Sequence, residues 1–451
     1  MSVARTSLGL LTVASWLALA PRAEAVPSFA RQTGFSCAQC HTQFPELTAF
    51  GRAFKASGYT MTMAKTVSDK RDERTVLEFL EAAPVSAMVQ ASTTTIAQQE
   101  PGAAGPTYKT DAVLPQQLSV FYAGKLAPEV GAFIQLTYDG VEDHFGMDNT
   151  DIRWAHTTTV GDKGLVYGLS LNNNPTVTDL YHGVPAWSWP FAASGVAPTP
   201  TAAPLIAGGL AQSVAGLNGY AQWNGMVYLE GGVYRSAPLG VARPLGIDTS
   251  ATGVISGVAP YWRLAVEKDF DQSSIEVGTY GLEARLFPGG ELPLAGPTDG
   301  YVDIAFDAQY QYVGPDHIFT ANAYFIHESQ NLLATAATGG SENVNDSLNA
   351  LNVSAGYIYH RLIGVRAGYQ SVLGTNDVGL YAPAPVSGSN NGAPNSTDFI
   401  GELDFTPWLN TKFSLQYTTY FSFNGASTNY DGSGRDASAN NTLYALAWIA
   451  F

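Results

Sequence analysis

The sequence is poor in charge, and its few charged residues are mostly acidic. Only 13% of its 451 residues are charged, against roughly 25% in an average soluble protein, which argues against an ordinary cytoplasmic enzyme. Lys and Arg number 22 and Asp and Glu 38, for a net charge of -16. Nucleic-acid binding requires a cationic surface, so the composition argues against that function as well.

Long apolar runs are also missing after the first few dozen positions. No stretch there reaches the roughly 18 consecutive apolar residues of a membrane-spanning helix. This excludes helical spans but not a membrane β-barrel, because barrel strands are shorter and alternate in polarity. The 46 Gly, 23 Tyr and 21 Phe residues favour many short strands over long helices.

The N-terminus has the features of a secretory signal peptide. Arg5 precedes an apolar run from Leu8 to Ala20, and Ala23-Glu24-Ala25 has the small residues of a signal-peptidase site. A single anchoring helix is the alternative, but the run is too short for one. The sequence predicts that residues 1–25 are a signal peptide cleaved before Val26.

Cysteine is nearly absent, and the two that exist are close together. Cys37 and Cys40 are followed directly by His41, which is the attachment signature of a c-type haem. Thiols three positions apart on one helical turn can add to the two vinyl groups of a porphyrin, and the adjacent histidine binds the iron. A disulfide or a redox Cys-x-x-Cys site is the alternative, but no βαβ pattern surrounds the motif. We predict one covalent haem c, with His41 as an axial ligand.

The sixth iron ligand is less well defined by the sequence. Met61 and Met63 follow His41 by about twenty residues, close enough for the chain to fold back over the other haem face, and a thioether ligand would raise the reduction potential. They could equally be apolar contacts, since Met often fills gaps in packing. Ligation by a second histidine also stays open, with three candidates in the following region: His144, His156 and His182.

The chain divides into three regions. The signal peptide is followed by a haem segment at residues 26–75, which is too short to bury an adequate core alone, so that haem is expected to complete its fold. Thr48 to Lys55 is predicted to form a short helix within it. Residues 84–451 form the third region.

The third region repeats about ten residues of alternating polarity followed by a break, as the strands of a membrane barrel do. One clear example alternates apolar with polar residues: Phe413, Leu415 and Tyr417 with Lys412, Ser414 and Gln416. In a strand these two sets face opposite ways. Because a soluble sandwich would alternate too, the connection lengths decide between the two architectures.

Short and long connections alternate along this region. Seven tight breaks are separated by eight long ones, one of which is predicted from Gly140 to Thr150. Outer-membrane barrels alternate periplasmic turns with extracellular loops in this way. We therefore predict an all-β fold, a transmembrane antiparallel β-barrel of about 16 strands, with the haem segment in or under its lumen. The last strand ends on Phe451, which resembles the assembly signal of bacterial outer-membrane proteins.

A one-haem electron carrier joined to a membrane barrel is most simply interpreted as an electron conduit. The lipid barrier is about 25 Å thick, and electron tunnelling weakens steeply with distance. One haem held wholly in the periplasm could not link the two aqueous sides, so we predict that the haem segment enters the lumen. An even number of strands places both barrel ends on the periplasmic side.

Several stretches of the sequence resemble the outer-membrane fused monohaem cytochrome-porin family of ferrous iron oxidases. The resemblance is close in the haem segment and covers the barrel mainly by length and architecture. It is based on these residues: Phe29-Ala30-Arg31-Gln32-Thr33-Gly34, the motif from Cys37 to His41, Gly51-Arg52-Ala53-Phe54-Lys55 with Gly58-Tyr59, Asn173 to Asp179, and Pro185-Ala186-Trp187.

The resemblance implies oxidation of extracellular Fe(II) at a bacterial outer membrane. It implies that Cys37 and Cys40 attach the haem, that His41 is an axial ligand, and that haem is the first electron acceptor. A periplasmic cytochrome would then take the electron. The resemblance does not identify the sixth ligand.

One predicted extracellular loop is rich in carboxylates and is our candidate for the place where Fe(II) enters. Oxygen ligands together with a histidine suit a divalent cation. The alternative is a solvated acidic loop, since no fixed ligand spacing is visible. The candidate residues are Asp139, Glu142, Asp143, His144, Asp148 and Asp151.

Other functions remain open at this point. The chain could be a transport porin whose haem segment is a plug or redox sensor, a conduit for a donor other than iron, or a haem enzyme such as a peroxidase. Pro185 to Phe191 is expected either to fold into the pore as a constriction or to form an aromatic patch at the membrane interface.

Overall fold

The structure, a computed structural model, describes residues 27–71, 74–81, 83–101, 109–236, 253–288 and 295–451. The predicted signal peptide, residues 1–25, lies outside the described residues. None of the helices within the described ranges is long and apolar enough to cross a membrane.

Most of the chain forms one antiparallel sheet that closes on itself. Two earlier strands, β1 (Thr66–Arg71) and β2 (Arg74–Leu80), pair only with each other and span the domain boundary predicted at residue 75. The strands of the large sheet are β3 (Val85–Ile96), β4 (Thr110–Ala127), β5 (Val130–Asp139), β6 (His144–Val160), β7 (Lys163–Asn172), β8 (Val214–Trp223), β9 (Val227–Ser236), β10 (Gly253–Ile255), β11 (Ala259–Phe270), β12 (Ser273–Pro288), β13 (Asp299–Val313), β14 (His317–Asn331), β15 (Asn345–Tyr359), β16 (Ile363–Gly374), β17 (Ser396–Trp408), β18 (Thr411–Ser422) and β19 (Thr442–Ala450).

The barrel has sixteen strands, as predicted. β10 and β11 both pair with β12 and are two parts of one strand interrupted near Gly257, whose φ of 81° suits only glycine. β19 pairs with β3, from Thr442 opposite Ile96 to Ala450 opposite Met88. Consecutive strands are neighbours everywhere else, so the closed sheet leaves no free edge.

The seven tight turns that we predicted all join neighbouring barrel strands. One predicted long loop is wrong, because β5 and β6 continue to pair up to Asp139 opposite His144, and only residues 140–143 connect them. A strand that continues beyond the lipid has the polar composition of a loop, which explains the error. Three other predicted long connections fall partly outside the described residues, at 102–108, 237–252 and 289–294.

The outer face of the barrel is apolar and its inner face is polar. On β18, Phe413, Leu415 and Tyr417 are 41–49% exposed, whereas the alternate residues Lys412 and Ser414 are buried. The same alternation recurs, for example, on β8, β11 and β15. A continuous apolar outer face is unfavourable in water and is stable against lipid, so this is a membrane-spanning barrel.

The N-terminal segment, residues 27–65, lies inside the barrel. It contains helices at Pro27–Thr33, Cys37–Cys40 and Ala49–Ala56. Gln32 donates to the carbonyl of Ala123 on β4, and Tyr220 on β8 donates to that of Ala56, both at 2.7 Å. Because these contacts reach both β4 and β8, the segment lies within the lumen, as predicted.

The helix predicted at Thr48–Lys55 is confirmed as Ala49–Ala56. Thr48 is its N-cap, and the Thr48 hydroxyl accepts a hydrogen bond from the backbone N–H of Gly51 at 3.2 Å. The short elements outside the segment and the strands are a helix at Leu333–Ala337 and 3-10 turns at Pro185–Trp187, Leu205–Ala207 and Ala437–Asn440.

The connection between β7 and β8, residues 173–213, also folds into the lumen, and we call it the inner loop. Leu180 and Tyr181 are fully buried, and Trp189 is 1% exposed. Of the two expectations for Pro185 to Phe191, the internal constriction is therefore correct. The N-terminal segment and the inner loop together occupy the pore.

Candidate functional site

The two cysteines and His41 lie on one short structural unit. Cys37 and Cys40 begin and end a single helical turn, and the backbone N–H of His41 donates to the carbonyl of Cys37 at 2.8 Å. The His41 side chain is oriented by a second contact, in which Nδ1 donates to the carbonyl of Pro45 at 3.0 Å. This bond fixes the tautomer in which Nε2 carries the lone pair that binds a metal.

Burial keeps the His41 ring in its neutral form. The pKa of His41 is lowered to about 4, chiefly by burial and despite hydrogen bonds to backbone carbonyls. Burial and the neighbouring Cys37 raise the pKa of Cys40 to about 11, which keeps that thiol protonated. The two thiols are not joined in a disulfide.

A cavity of about 330 Å³ opens beside the motif, inside the barrel. Cys37, Cys40 and His41 line it, and the inner loop contributes His182 and Trp187. Much of the remaining lining is aromatic, including Phe29, Phe44, Phe54, Phe121, Phe133 and Trp448, and polar side chains such as Gln90, Gln117 and Gln135 line it as well. Two thiols, one neutral imidazole and an aromatic wall are the groups that hold a covalent haem, so the residues present fit that cofactor.

Aromatic stacking holds the segment around this cavity. The ring of Phe29 lies 5.0 Å from that of Phe54 and 5.5 Å from that of Tyr59. On the other side, Phe44 contacts both His41 and Trp448 of β19, with ring centroids 5.3 and 5.2 Å apart. The helices are therefore packed against one another and against the wall.

Buried charges on the segment are paired with barrel residues. Arg52 is 1% exposed and forms an ion pair with Glu267 on β11. Its guanidinium also donates to Gln311 on β13 at 2.7 Å. An unpaired buried guanidinium would be very unfavourable, so these contacts specify one seating of the segment.

Further contacts lie at the end of the segment near the tight turns. Gln43 donates to Asp404 on β17 at 2.7 Å, and Arg361, in the turn between β15 and β16, donates to the carbonyls of His41 and Thr42 at 2.9 and 3.0 Å. The motif from Cys37 to His41 is thus held directly by a tight turn of the barrel.

The inner loop is joined to the segment by two buried basic side chains. Lys55 Nζ donates to the carbonyls of Val177 and Asp179, both at 2.7 Å, and burial lowers its pKa to about 7. His182 accepts from the N–H of Leu47 through Nε2 at 3.0 Å and donates through Nδ1 to a carbonyl of its own loop.

Most of the residues predicted as the sixth iron ligand do not line this cavity. Met61 and Met63 are 42% and 71% exposed, and neither lines the cavity. The side chains of His156 and His144 are 40% and 39% exposed, and they lie beside Glu129 and Glu142. Of the predicted candidates, only His182 lines the cavity, and both of its ring nitrogens are already hydrogen bonded.

The six residues predicted as the place where Fe(II) enters do not form one site. Asp151 is buried and bound to Arg153 and Tyr59, so it is not part of an extracellular loop. Asp148 lines the cavity, whereas Asp139, Glu142, Asp143 and His144 are at the β5–β6 hairpin end. Within the described ranges no three His, Cys, Asp or Glu side chains gather into a group able to hold a metal ion.

Several site residues were not identified from the sequence. Arg52, Lys55 and Met88 all reach the lumen, and their partners are far away in the chain. The only available signal was a positive charge on the apolar helix Ala49–Ala56, which in a low-charge chain indicates a buried pairing.

Comparisons with known proteins find a similar fold in solved structures but no similar sequence. Neither a family model nor a characterised protein sequence matches this chain. Solved structures that resemble it include OmpT of Vibrio cholerae (10% identity, 81% of this chain and 96% of that one, TM-score 0.43) and the channel DcaP of Acinetobacter baumannii (11%, 81% and 96%, 0.45). An anion-selective porin from Comamonas acidovorans is similar (12%, 81% and 98%, 0.45). This likeness is too low to support a conclusion about what the chain does.

Proposed function

We propose that the chain is an outer-membrane electron conduit, a monohaem c-type cytochrome fused to a porin-like barrel. Extracellular Fe(II) gives one electron to a haem c held in the lumen, and a periplasmic cytochrome takes that electron. The observation that carries this proposal is that Cys37, Cys40 and His41 line one aromatic cavity inside a membrane-spanning barrel.

The residues that would hold the haem have distinct roles. Cys37 and Cys40 would each form a thioether with one vinyl group, and the Nε2 atom of His41 would bind the iron. Pro45 orients the imidazole by accepting its Nδ1 proton. Haem bound there would supply reversible one-electron chemistry, in which each Fe(II) oxidised to Fe(III) releases one electron and no substrate bond breaks.

The two ends of the cavity suit the two electron partners. Asp148 and Asn149 line it toward the β5–β6 hairpin, on the long-loop side of the barrel. A smaller hollow beside Cys37 and His41 is lined by Arg361 and Asn410 from tight turns, at the end of the barrel that this proposal assigns to the periplasm. An electron carrier between these ends shortens both transfers across the lipid barrier of about 25 Å.

Electron transfer across a membrane tests the proposal. Holoprotein produced with c-type haem maturation is inserted into lipid vesicles that enclose oxidised cytochrome c, and Fe(II) is added outside. We expect the enclosed cytochrome to become reduced and the haem of the protein to cycle between its two states. The matched control is His41→Ala, which keeps both cysteines but removes the axial nitrogen and is expected to lose rapid reduction by Fe(II).

Two results would contradict the proposal. One is purified protein without covalent haem after expression with the maturation machinery. The other is a haem that dithionite reduces but Fe(II) does not, which would leave a conduit for another donor. Conductance of small solutes that persists in the Cys37→Ala/Cys40→Ala variant would favour a transport porin.

A further inference from the structure

The lumen cavity contains one side chain that the proposed function leaves unassigned. Met88 lies on β3, the first barrel strand after the N-terminal segment, and it is 3% exposed. It lines the same cavity as the two cysteines and His41. Of the methionines in the described residues, Met88 alone does so, whereas Met61 and Met63 do not.

The nitrogen donors of this cavity are already engaged in hydrogen bonds. Lys55 donates to two backbone carbonyls, and both ring nitrogens of His182 are bonded to backbone groups. An iron bond from either residue would leave a buried backbone group without a partner, which is unfavourable.

Three side chains of the lining that carry oxygen donors are engaged as well. Tyr59 donates to Asp151 at 2.7 Å. Asp179 accepts from Arg263 at 3.0 Å, and Asp148 accepts from Gln212 at 3.1 Å. The Tyr59 hydroxyl would have to give up its bond to Asp151 in order to bind iron, and the two carboxylates are held in place by their donors.

A thioether can bind iron without giving up a hydrogen bond and without losing a proton. The Met88 side chain packs in an apolar cluster with Phe121 and Trp448 of the wall. Phe29 and Phe44 of the N-terminal segment pack against the same cluster. Met88 therefore stands where the barrel wall meets the segment that carries His41.

We propose that Met88 would be the second protein ligand of the haem iron, in addition to His41; this inference rests on the proposed function. Thioether ligation favours the reduced iron and raises the reduction potential, which suits an acceptor for Fe(II). A bond from Met88 on β3 to the iron would also join the N-terminal segment to the barrel wall. Haem binding would then hold the segment in the lumen.

The replacement Met88→Leu tests the assignment in the holoprotein, because Leu nearly conserves volume and apolar character. We expect covalent haem to be retained, the far-red charge-transfer band of a methionine-ligated ferric haem to be lost, and the reduced form to bind carbon monoxide. The reduction potential should fall. Met226→Leu, at the turn between β8 and β9, is the matched control and should leave the spectrum unchanged.

A second variant keeps the test decisive if Met88→Leu folds poorly. Met88→His should give a low-spin spectrum with two histidine ligands, without the far-red band and without carbon monoxide binding. This gain occurs only if position 88 faces the iron. A high-spin spectrum in Met88→His would therefore contradict the proposal.

Two further outcomes separate the hypotheses. An unchanged far-red band in Met88→Leu overturns the ligand assignment but not the proposed function. Loss of that band in Met61→Leu/Met63→Leu instead would assign the ligand to one of those residues. Wild-type protein without covalent haem would overturn the proposed function itself.

Discussion

Glu46 and Arg366 form a buried ion pair between the N-terminal segment and barrel strand β16, with 3.1 Å between Oε2 and Nη2. Asn322 on β14 donates to the same carboxylate at 2.9 Å. Burial raises the pKa of Glu46, but the charge of Arg366 and the hydrogen bonds lower it overall. Glu46 therefore remains ionised and fixes the segment against two strands at once.

Removing one partner of this pair should release the segment. Glu46→Gln leaves Arg366 buried without its counter-charge, for which the expected loss is about 3–5 kcal/mol of stability. The double variant Glu46→Leu/Arg366→Met removes both charges and should lose much less. Urea unfolding in detergent measures the free energy, and amide hydrogen exchange over residues 41–48 localises it. Equal losses in the single and double variants would contradict this role.

Gly51 allows two helices of the segment to touch. A Cβ atom at this position would lie 2.2 Å from the carbonyl oxygen of Cys40, so Gly51→Ala must push the Cys37–Cys40 turn away. We expect the haem content per protein, measured by the pyridine haemochrome assay, to fall several-fold. Ala53→Ser, on the exposed side of the same helix, is the control and should load normally. Normal loading of Gly51→Ala would show that the two helices can separate freely.

His182 should make the stability of the folded protein decrease at acid pH. Burial lowers its pKa from 6.5 to about 4, so the unfolded chain binds the proton more readily between these values. Stability should therefore fall as the pH drops from about 6.5 to about 4, by on the order of 3 kcal/mol from this residue. His182→Gln can still accept from Leu47 and cannot titrate. Urea unfolding from pH 7 to pH 4 should give a flatter profile for this variant, and identical profiles would exclude His182 as the cause.

The filled lumen should block solute flow. A sixteen-stranded porin leaves an aqueous channel, but here Arg52 and Glu46 anchor the segment to β11 and β16 of the wall. In planar bilayers we expect the wild-type protein to have a conductance far below that of an open porin. The conductance should increase in the Glu46→Ala/Arg52→Ala variant. A large, steady conductance in the wild-type protein would mean that the segment leaves the pore.

The candidate site was only partly predictable. Cys37, Cys40 and His41 are a local motif, so their spacing alone indicates the chemistry. Met61 and Met63 were chosen because they are near in sequence, whereas Met88 reaches the cavity from the barrel wall. Sequence distance is a poor guide inside a barrel, where residues far apart in the chain face the same lumen.

The sequence by itself determined the features that depend on local pattern. Strand polarity has a period of two residues and tight turns have characteristic residues, so the number of strands and the direction of their apolar face follow from short windows. The tertiary structure decided what fills the barrel. Arg52 meets Glu267 and Glu46 meets Arg366 only after the sheet has closed, because burial makes each charge depend on a partner that no local pattern specifies.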